Sequence, residues 1–433
     1  MTPGRELTPI EQRLFTDFFA ALRRQSIPFV LLRNYEDFPA RIGHDLDLFV
    51  PRKDAHAAGR LFRELLAAAG GSVLIVHERD YFLDIRFVLG TSRPDAIHLD
   101  LYHGTFTWHS LPYLTEDELL ASIREYNGLP VPRPAHEALN IFMASILWGG
   151  FYKVRYQPRI AALLTAPEER AEFERCVQEV FGPDGKPSFD PCSPVHPEKT
   201  EVKTYAARLR RAMKRRALRN APLRTVGRLC RHWWVEFECA CRPKGMVLAV
   251  IGPDAEVNAR AVEGLVQRVG ELFGEQQVRR KTSQTSSENG NEAKRIFRLL
   301  KQWLRGWLDW PLRFLKPKAQ GQLVVLDYSA ADWWCAPAGN GFAGLPAWLL
   351  KFAARCAPEP DFTFVLLPDA DTLVQSRKEL SSESARSQLA RYHSWASRGR
   401  RCFSVDATRP LPAIVDCIEA TLVAYLRRRE QLR

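Results

Sequence analysis

Gly43-His44-Asp45-Leu46-Asp47-Leu48-Phe49-Val50 decides how the first half of this chain is read. On a strand, residues two apart share a face. Leu46 and Leu48 then point into a core while Asp45 and Asp47 point together the other way. Two carboxylates so placed repel each other unless a cation lies between them, and hard divalent ions such as Mg²⁺ take all-oxygen ligand sets. A third carboxylate comes from the later run Ala96-Ile97-His98-Leu99-Asp100-Leu101-Tyr102. If that strand lies beside the first, Asp45, Asp47 and Asp100 form a three-carboxylate metal site, able to orient a triphosphate and to help deprotonate a hydroxyl. The alternative is that Asp45 and Asp47 keep an exposed strand soluble and Asp100 is unrelated to them.

Outward from this stretch, Ile10, Leu14, Phe18, Phe19 and Leu22 recur at helical spacing over 9–25. Phe29 to Leu32 reads as a strand, and a helix follows the Asp strand from about Ala55 to Ala69. Strands are expected over 72–77, 81–88 and 96–102, and helices over 116–126 and 134–150. This makes an α/β domain over 1–165.

Residues 166–240 differ. A helix near 167–180 leads into a loop rich in Pro, Gly and Asp. Then comes a basic stretch with eleven Lys and Arg and no acid from Lys203 to Arg231. It is expected to be a connector with helices, partly mobile. The third region, 241–433, restarts as α/β. Strands are expected at 246–251, 322–327, 362–367 and 401–405, with helices over 257–272, 384–396 and 411–428. Alternating strand and helix implies a parallel sheet covered on both faces. Between them, 294–310 is a basic amphipathic helix with three Trp, preceded by a loop over 283–292. Positions 296, 300, 303, 307 and 310 line one side and 295, 298, 302, 305 and 309 another. Such a helix packs on the domain core or on a partner subunit, or lies on an anionic membrane.

The bulk numbers constrain this further. The chain has 433 residues, 46% hydrophobic and 26% charged, with a formal net charge of +12. That charge permits anionic partners without selecting one. The nine cysteines form no CxxC pair and no zinc spacing, as expected of reduced thiols in a cytoplasmic protein. The first residues lack a signal peptide's apolar core, and no apolar run reaches the ~20 residues of a membrane helix. Peripheral contact with the inner face of a membrane, through 203–231 and 294–310, is the membrane reading that remains.

Residues 28–50 together with Asp100 resemble the nucleotidyltransferase superfamily that includes DNA polymerase β, a resemblance that covers roughly residues 25–160. The resemblance makes Asp45 and Asp47 the metal pair and Asp100 the carboxylate that assists the attacking hydroxyl. It implies Mg²⁺ or Mn²⁺ as cofactor and a nucleoside triphosphate as donor. Arg33-Asn34 stands where the family has Gly-Ser before the metal pair. With Lys153 and Arg155, Arg33 and Asn34 are the candidate phosphate contacts, although Lys153 and Arg155 also read as plain surface charges.

The third region resembles the thymidylate kinase family. Gly252-Pro253-Asp254 follows an apolar strand and opens a helix, as a phosphate-binding loop does. Gly252 and Asp254 align with that loop and are carried as nucleotide-binding candidates. Ala255 and Val257 replace its glycines, Asn258 its lysine and Ala259 its hydroxyl residue, so no charge faces the β/γ-phosphates and no hydroxyl reaches Mg²⁺. Asp327 matches a kinase Asp. Arg377-Lys378-Glu379-Leu380 resembles the lid.

The expected fold class is thus α/β, with an N-terminal nucleotidyltransferase-like mixed sheet and a C-terminal thymidylate kinase-like parallel sheet sandwiched by helices. This pairing resembles proteins associated with bacterial surface polysaccharide synthesis. The leading expectation is Mg²⁺-dependent transfer of a nucleotidyl group to a hydroxyl-bearing small molecule or glycan. A residual kinase in the third region and a non-catalytic membrane scaffold are the alternatives. Beyond positive charge no nucleic-acid reading module is visible, so nucleic acid is set aside.

Overall fold

The computed structural model describes residues 5–43, 45–79, 81–89, 97–153, 156–187, 189–193, 197–273, 276–279, 292–337, 340–377, 380–397 and 401–431. His44, Arg155, residues 283–291 of the expected loop, and Lys378 with Glu379 lie outside the described residues. The chain divides into two units, Met1–Glu236 and Phe237–Arg433.

Unit 1 is built on a five-stranded mixed sheet. Its strands are β1 (Val30–Leu31), β2 (Asp45–Val50), β3 (Gly71–Arg79), β4 (Phe82–Leu89) and β5 (Ile97–His103), in the spatial order β1-β2-β5-β4-β3. β2 and β5 run parallel, and the other pairs are antiparallel. The period of two sorts the side chains. Leu46, Leu48, Val50, Leu83, Ile85, Phe87, Leu99 and Leu101 meet helices α1 (Pro9–Arg24) and α2 (Ala55–Ala68) through Phe15, Phe18, Leu22, Phe62 and Leu66 in one core. α1 starts where Thr8 and Glu11 cap each other's backbone. The alternate residues of β2, β4 and β5 face the other way.

A second core of unit 1 takes in Phe49 from that other face and joins it to Phe106, Trp108 and the later helices. α3 (Pro134–Met143) runs into a π-helical stretch, Ala144–Gly149, ended by Gly150 at a left-handed φ of 65°. α4 (Pro167–Phe181) contributes Phe173, Val177 and Phe181, and α5 (Lys199–Asn220) contributes Tyr205, Leu209 and Met213. Residues read from sequence as a connector therefore share the core of unit 1, because α4 and α5 each carry an apolar stripe that only this core covers. The helix expected over 116–126 stops at Ala121; Arg124–Tyr126 pairs instead with Leu129–Val131 in a hairpin. Its two-residue turn is Asn127-Gly128, both at positive φ, the conformation that Asn-Gly adopts without strain.

Unit 2 carries an all-parallel five-stranded sheet of β6 (Met246–Ile251), β7 (Gln276–Arg279), β8 (Leu323–Leu326), β9 (Phe362–Leu367) and β10 (Cys402–Asp406), ordered β7-β8-β6-β9-β10. Four strands match the sequence reading. β7 was not expected, since a polar edge strand lacks the apolar run that marks a buried one. Val247, Ala249 and Ile251 face a core completed by Leu299, Phe314, Trp334, Phe342, Leu350 and Tyr392. Met246, Leu248 and Val250 are equally buried on the opposite face. There α6 (Ala255–Val269) and α9 (Leu411–Gln431) approach so closely that a Cβ on Gly264 would meet Val415 Cγ2 at 3.0 Å. The basic amphipathic segment forms α7 (Glu292–Trp310) and continues as a π-helical turn to Leu315. α8 (Ala347–Arg355) lies against it through a hydrogen bond from Trp307 Nε1 to the Cys356 carbonyl, 2.9 Å. Among the described residues, no helix is long and apolar enough to cross a membrane.

Candidate active site

The sheet of unit 1 lines up a row of acids. Asp47 of β2 is paired in register with Asp100 of β5, and Asp100 with Asp84 of β4. His77 of β3 completes the row opposite Asp84. One step along, Asp45, His98 and Arg86 form a second row on the same face. Asp45, Asp47 and Asp100 each bring a carboxylate oxygen within 4.8 Å of the others. The structure thus gathers the three acids singled out in the sequence. It adds Asp84, which sequence reasoning missed although the alternation of Leu83, Ile85 and Phe87 places Asp84 on the carboxylate face.

Two arginines balance part of this charge. Arg33, in the loop after β1, donates from Nη2 to Asp47 Oδ1 at 2.8 Å and from Nε to Asp47 Oδ2, and reaches Asp45 Oδ2 at 3.4 Å. Arg86 grips Asp84 with Nε to Oδ1 at 3.0 Å and Nη2 to Oδ2 at 2.6 Å. Four carboxylates thus face two guanidinium groups. The surplus acts on proton affinity. Burial first, then the neighbouring Asp45, pushes Asp47 up to about 6 in spite of Arg33. Burial, then Asp84, Asp47 and Asp45, holds Asp100 well above the usual carboxylate range. Asp84 is buried too, but Arg86 outweighs that and lowers it. Tyr102, which donates to Asp47, is pushed up by burial and by Asp47 and Asp100. The oxygen donors and the excess negative charge fit a hard divalent cation.

The other candidates fall around this cluster. Asn34 holds a left-handed φ of 59°. Its amide lies over Gly43, where a Cβ would stand 2.5 Å from Asn34 Nδ2. Arg33 Nη1 donates to the Tyr156 hydroxyl at 3.3 Å, and the Lys153 ammonium lies over the same ring at 5.5 Å. Arg33, Asn34 and Lys153 therefore gather at one end of the acidic row; Arg155 lies outside the described residues.

In unit 2 the loop after β6 is closed on itself. Asp254 Oδ1 accepts from the backbone N–H of Glu256 at 3.0 Å and of Val257 at 3.2 Å. These are the helix N-terminal donors that would otherwise receive a phosphate. Asn258, buried, donates to the Gly252 carbonyl at 3.1 Å, and Arg377 donates to that of Pro253 at 3.2 Å. A carboxylate already on the anion position repels a second anion, so Gly252 and Asp254 are placed together, but as a self-capped turn.

A third group, His136, Glu172 and Cys176, also has metal-like spacing. Glu172 is held by Arg175 at 2.7 Å and faces Arg133 at 3.7 Å, and Ser122 Oγ lies 2.7 Å from His136 Nδ1. The hydrogen bond from Arg175 drops Glu172 to about 2. This is an ion-pair network with its charge already answered.

No protein-family model matches the chain, and no curated protein matches it. Among solved structures, thymidylate kinase from Ehrlichia chaffeensis is similar at 14% identity and a TM-score of 0.33, over 42% of this chain and the whole of that one.

Proposed function

We propose that unit 1 is a divalent-cation-dependent nucleotidyltransferase that moves a nucleotidyl group from a nucleoside triphosphate to a hydroxyl of a small molecule or glycan. The observation that carries this reading is the convergence of Asp45, Asp47 and Asp100 within 4.8 Å, with more negative charge than Arg33 and Arg86 offset. A bound Mg²⁺ or Mn²⁺ would supply charge neutralisation for the triphosphate. Asp45, Asp47 and Asp100 would hold it. Arg33 and Lys153 are the cations best placed to orient phosphate oxygens, and Asp100 would receive the proton of the attacking hydroxyl. The hydroxyl oxygen forms the new bond to the α-phosphorus, and the bond to pyrophosphate breaks. The resemblance to the DNA polymerase β superfamily supports the same assignment.

Unit 2 is read as kinase-like in architecture and not as a phosphotransferase, because Asp254 and Asn258 close the loop a phosphate would enter. The test is turnover of nucleoside triphosphates with a panel of hydroxyl acceptors, followed as pyrophosphate release. Asp47→Asn should abolish release and leave the protein folded. Undiminished release by folded Asp47→Asn would refute the assignment.

A further inference from the structure

We propose that α7 and its continuation to Leu315 form a docking face for an anionic phospholipid surface. The inference is independent of the carboxylate site.

The helix has two apolar faces. Leu299 and Phe314 are buried in the core of unit 2, with Trp303 and Trp310 packed against it. That accounts for one side only. Turning about 100° per residue, Phe297, Leu300, Leu304, Leu308, Leu312 and Leu315 form a second stripe. This one is exposed: Phe297 is 69%, Leu308 66% and Leu312 73% accessible. Sequence periodicity alone merged the two, because they adjoin at Leu300 and Trp307. On the neighbouring α8, Trp348 and Phe352 are also exposed. Large side chains in a contiguous exposed stripe mark an interaction surface.

Charge selects the occupant. From Glu292 to Leu315 the segment carries six Lys and Arg against two acids, Glu292 and Asp309. Asp309 is taken by Arg305 at 3.4 Å and Arg313 at 3.3 Å. Lys294, Arg298 and Lys301 flank the stripe on its solvent side and have no acidic partner among the described residues. Leucines that enter acyl chains beside ammonium and guanidinium groups at headgroup depth match an interfacial helix on anionic lipid. A second copy of this chain fits less well, since two-fold pairing of the stripe sets these cations against their own kind.

The experiment is cosedimentation of the full chain with vesicles of phosphatidylcholine alone or mixed with phosphatidylglycerol. Binding to the mixed vesicles, weakened by salt and absent on phosphatidylcholine, is expected. Leu304→Glu/Leu308→Glu and, separately, Lys294→Gln/Arg298→Gln/Lys301→Gln should each lower the partition coefficient at least about tenfold. All these side chains lie outside the core, so thermal melting should not change; if the first variant melts early, Leu312→Glu repeats the test. Equal sedimentation of wild type and variants overturns the proposal. So does a dimer, seen by sedimentation velocity, that Leu304→Glu/Leu308→Glu breaks while neither vesicle binds.

Discussion

Arg33 holds Asp47 with two prongs, Nη2 on Oδ1 at 2.8 Å and Nε on Oδ2. The guanidinium occupies the oxygens a metal would need, on a carboxylate that is 1% exposed. Arg33→Met removes the charge and keeps the stem. Leaving a buried carboxylate unpaired costs about 3 kcal/mol, so the metal-free variant should melt earlier than wild type. Its Mn²⁺ affinity should rise by roughly tenfold, because the cation no longer competes with the guanidinium for Asp47. Paired melting and Mn²⁺ titrations check both; an unchanged affinity would show that Arg33 and the metal use different oxygens.

Stability should fall as pH rises between about 4 and 6. Asp47 binds its proton more tightly folded, at about 6, than its ordinary value of 3.8, and Asp100 is raised in the same direction. With folded values above unfolded ones, the native state holds the extra protons and is favoured at low pH; that stability is lost as pH rises through the folded value. For Asp47 the loss is about 3 kcal/mol. Urea denaturation at pH 4, 5, 6 and 7 reads it, and Asp47→Asn should flatten the slope.

Metal binding should show the opposite trend over the same range, since the ligand oxygens must be ionised. Mn²⁺ affinity is expected to drop by at least about tenfold per pH unit below 6, a proton being displaced at Asp47 and a further one at Asp100, both of which hold their protons more tightly than usual. A pH-independent affinity from 5 to 7 would contradict this.

Asn258→Ala in unit 2 should cost about 1 kcal/mol through loss of its buried hydrogen bond to the Gly252 carbonyl. It should leave nucleotide binding by the whole chain unaltered. Gly252→Ala should cost more, about 2 kcal/mol, since a Cβ there meets the Leu366 carbonyl at 2.7 Å and Asn258 Oδ1 at 2.9 Å. Denaturant melts and calorimetric titration with ATP separate the two effects.

The parts of this account visible in the sequence are those written in period. Asp45-Leu46-Asp47-Leu48 and His98-Leu99-Asp100-Leu101 alternate so strictly that faces follow without coordinates, and the register that pairs Asp47 with Asp100 adds only the distance. Asp84 obeyed the same alternation but stands alone on β4, with no repeat to draw notice. Arg33 gave no signal for its grip on Asp47, because a loop arginine's reach depends on where the loop turns. The packing of α5 into unit 1 is masked by its charge: eight of the eleven cations on 203–231 lie on this helix, around the buried Tyr205, Leu209 and Met213. The hairpin at 124–131 is legible in Asn127-Gly128, whose turn preference outweighs the helical spacing that precedes it.

The most direct test of the central claim is calorimetric titration of the full chain with each nucleoside triphosphate, with and without Mg²⁺, beside Asp45→Asn/Asp47→Asn and Asn258→Ala. The account predicts Mg²⁺-dependent binding that disappears in the double Asp variant and survives in Asn258→Ala. Binding that persists without Asp45 and Asp47 and responds to Asn258 would move the site to unit 2 and contradict it.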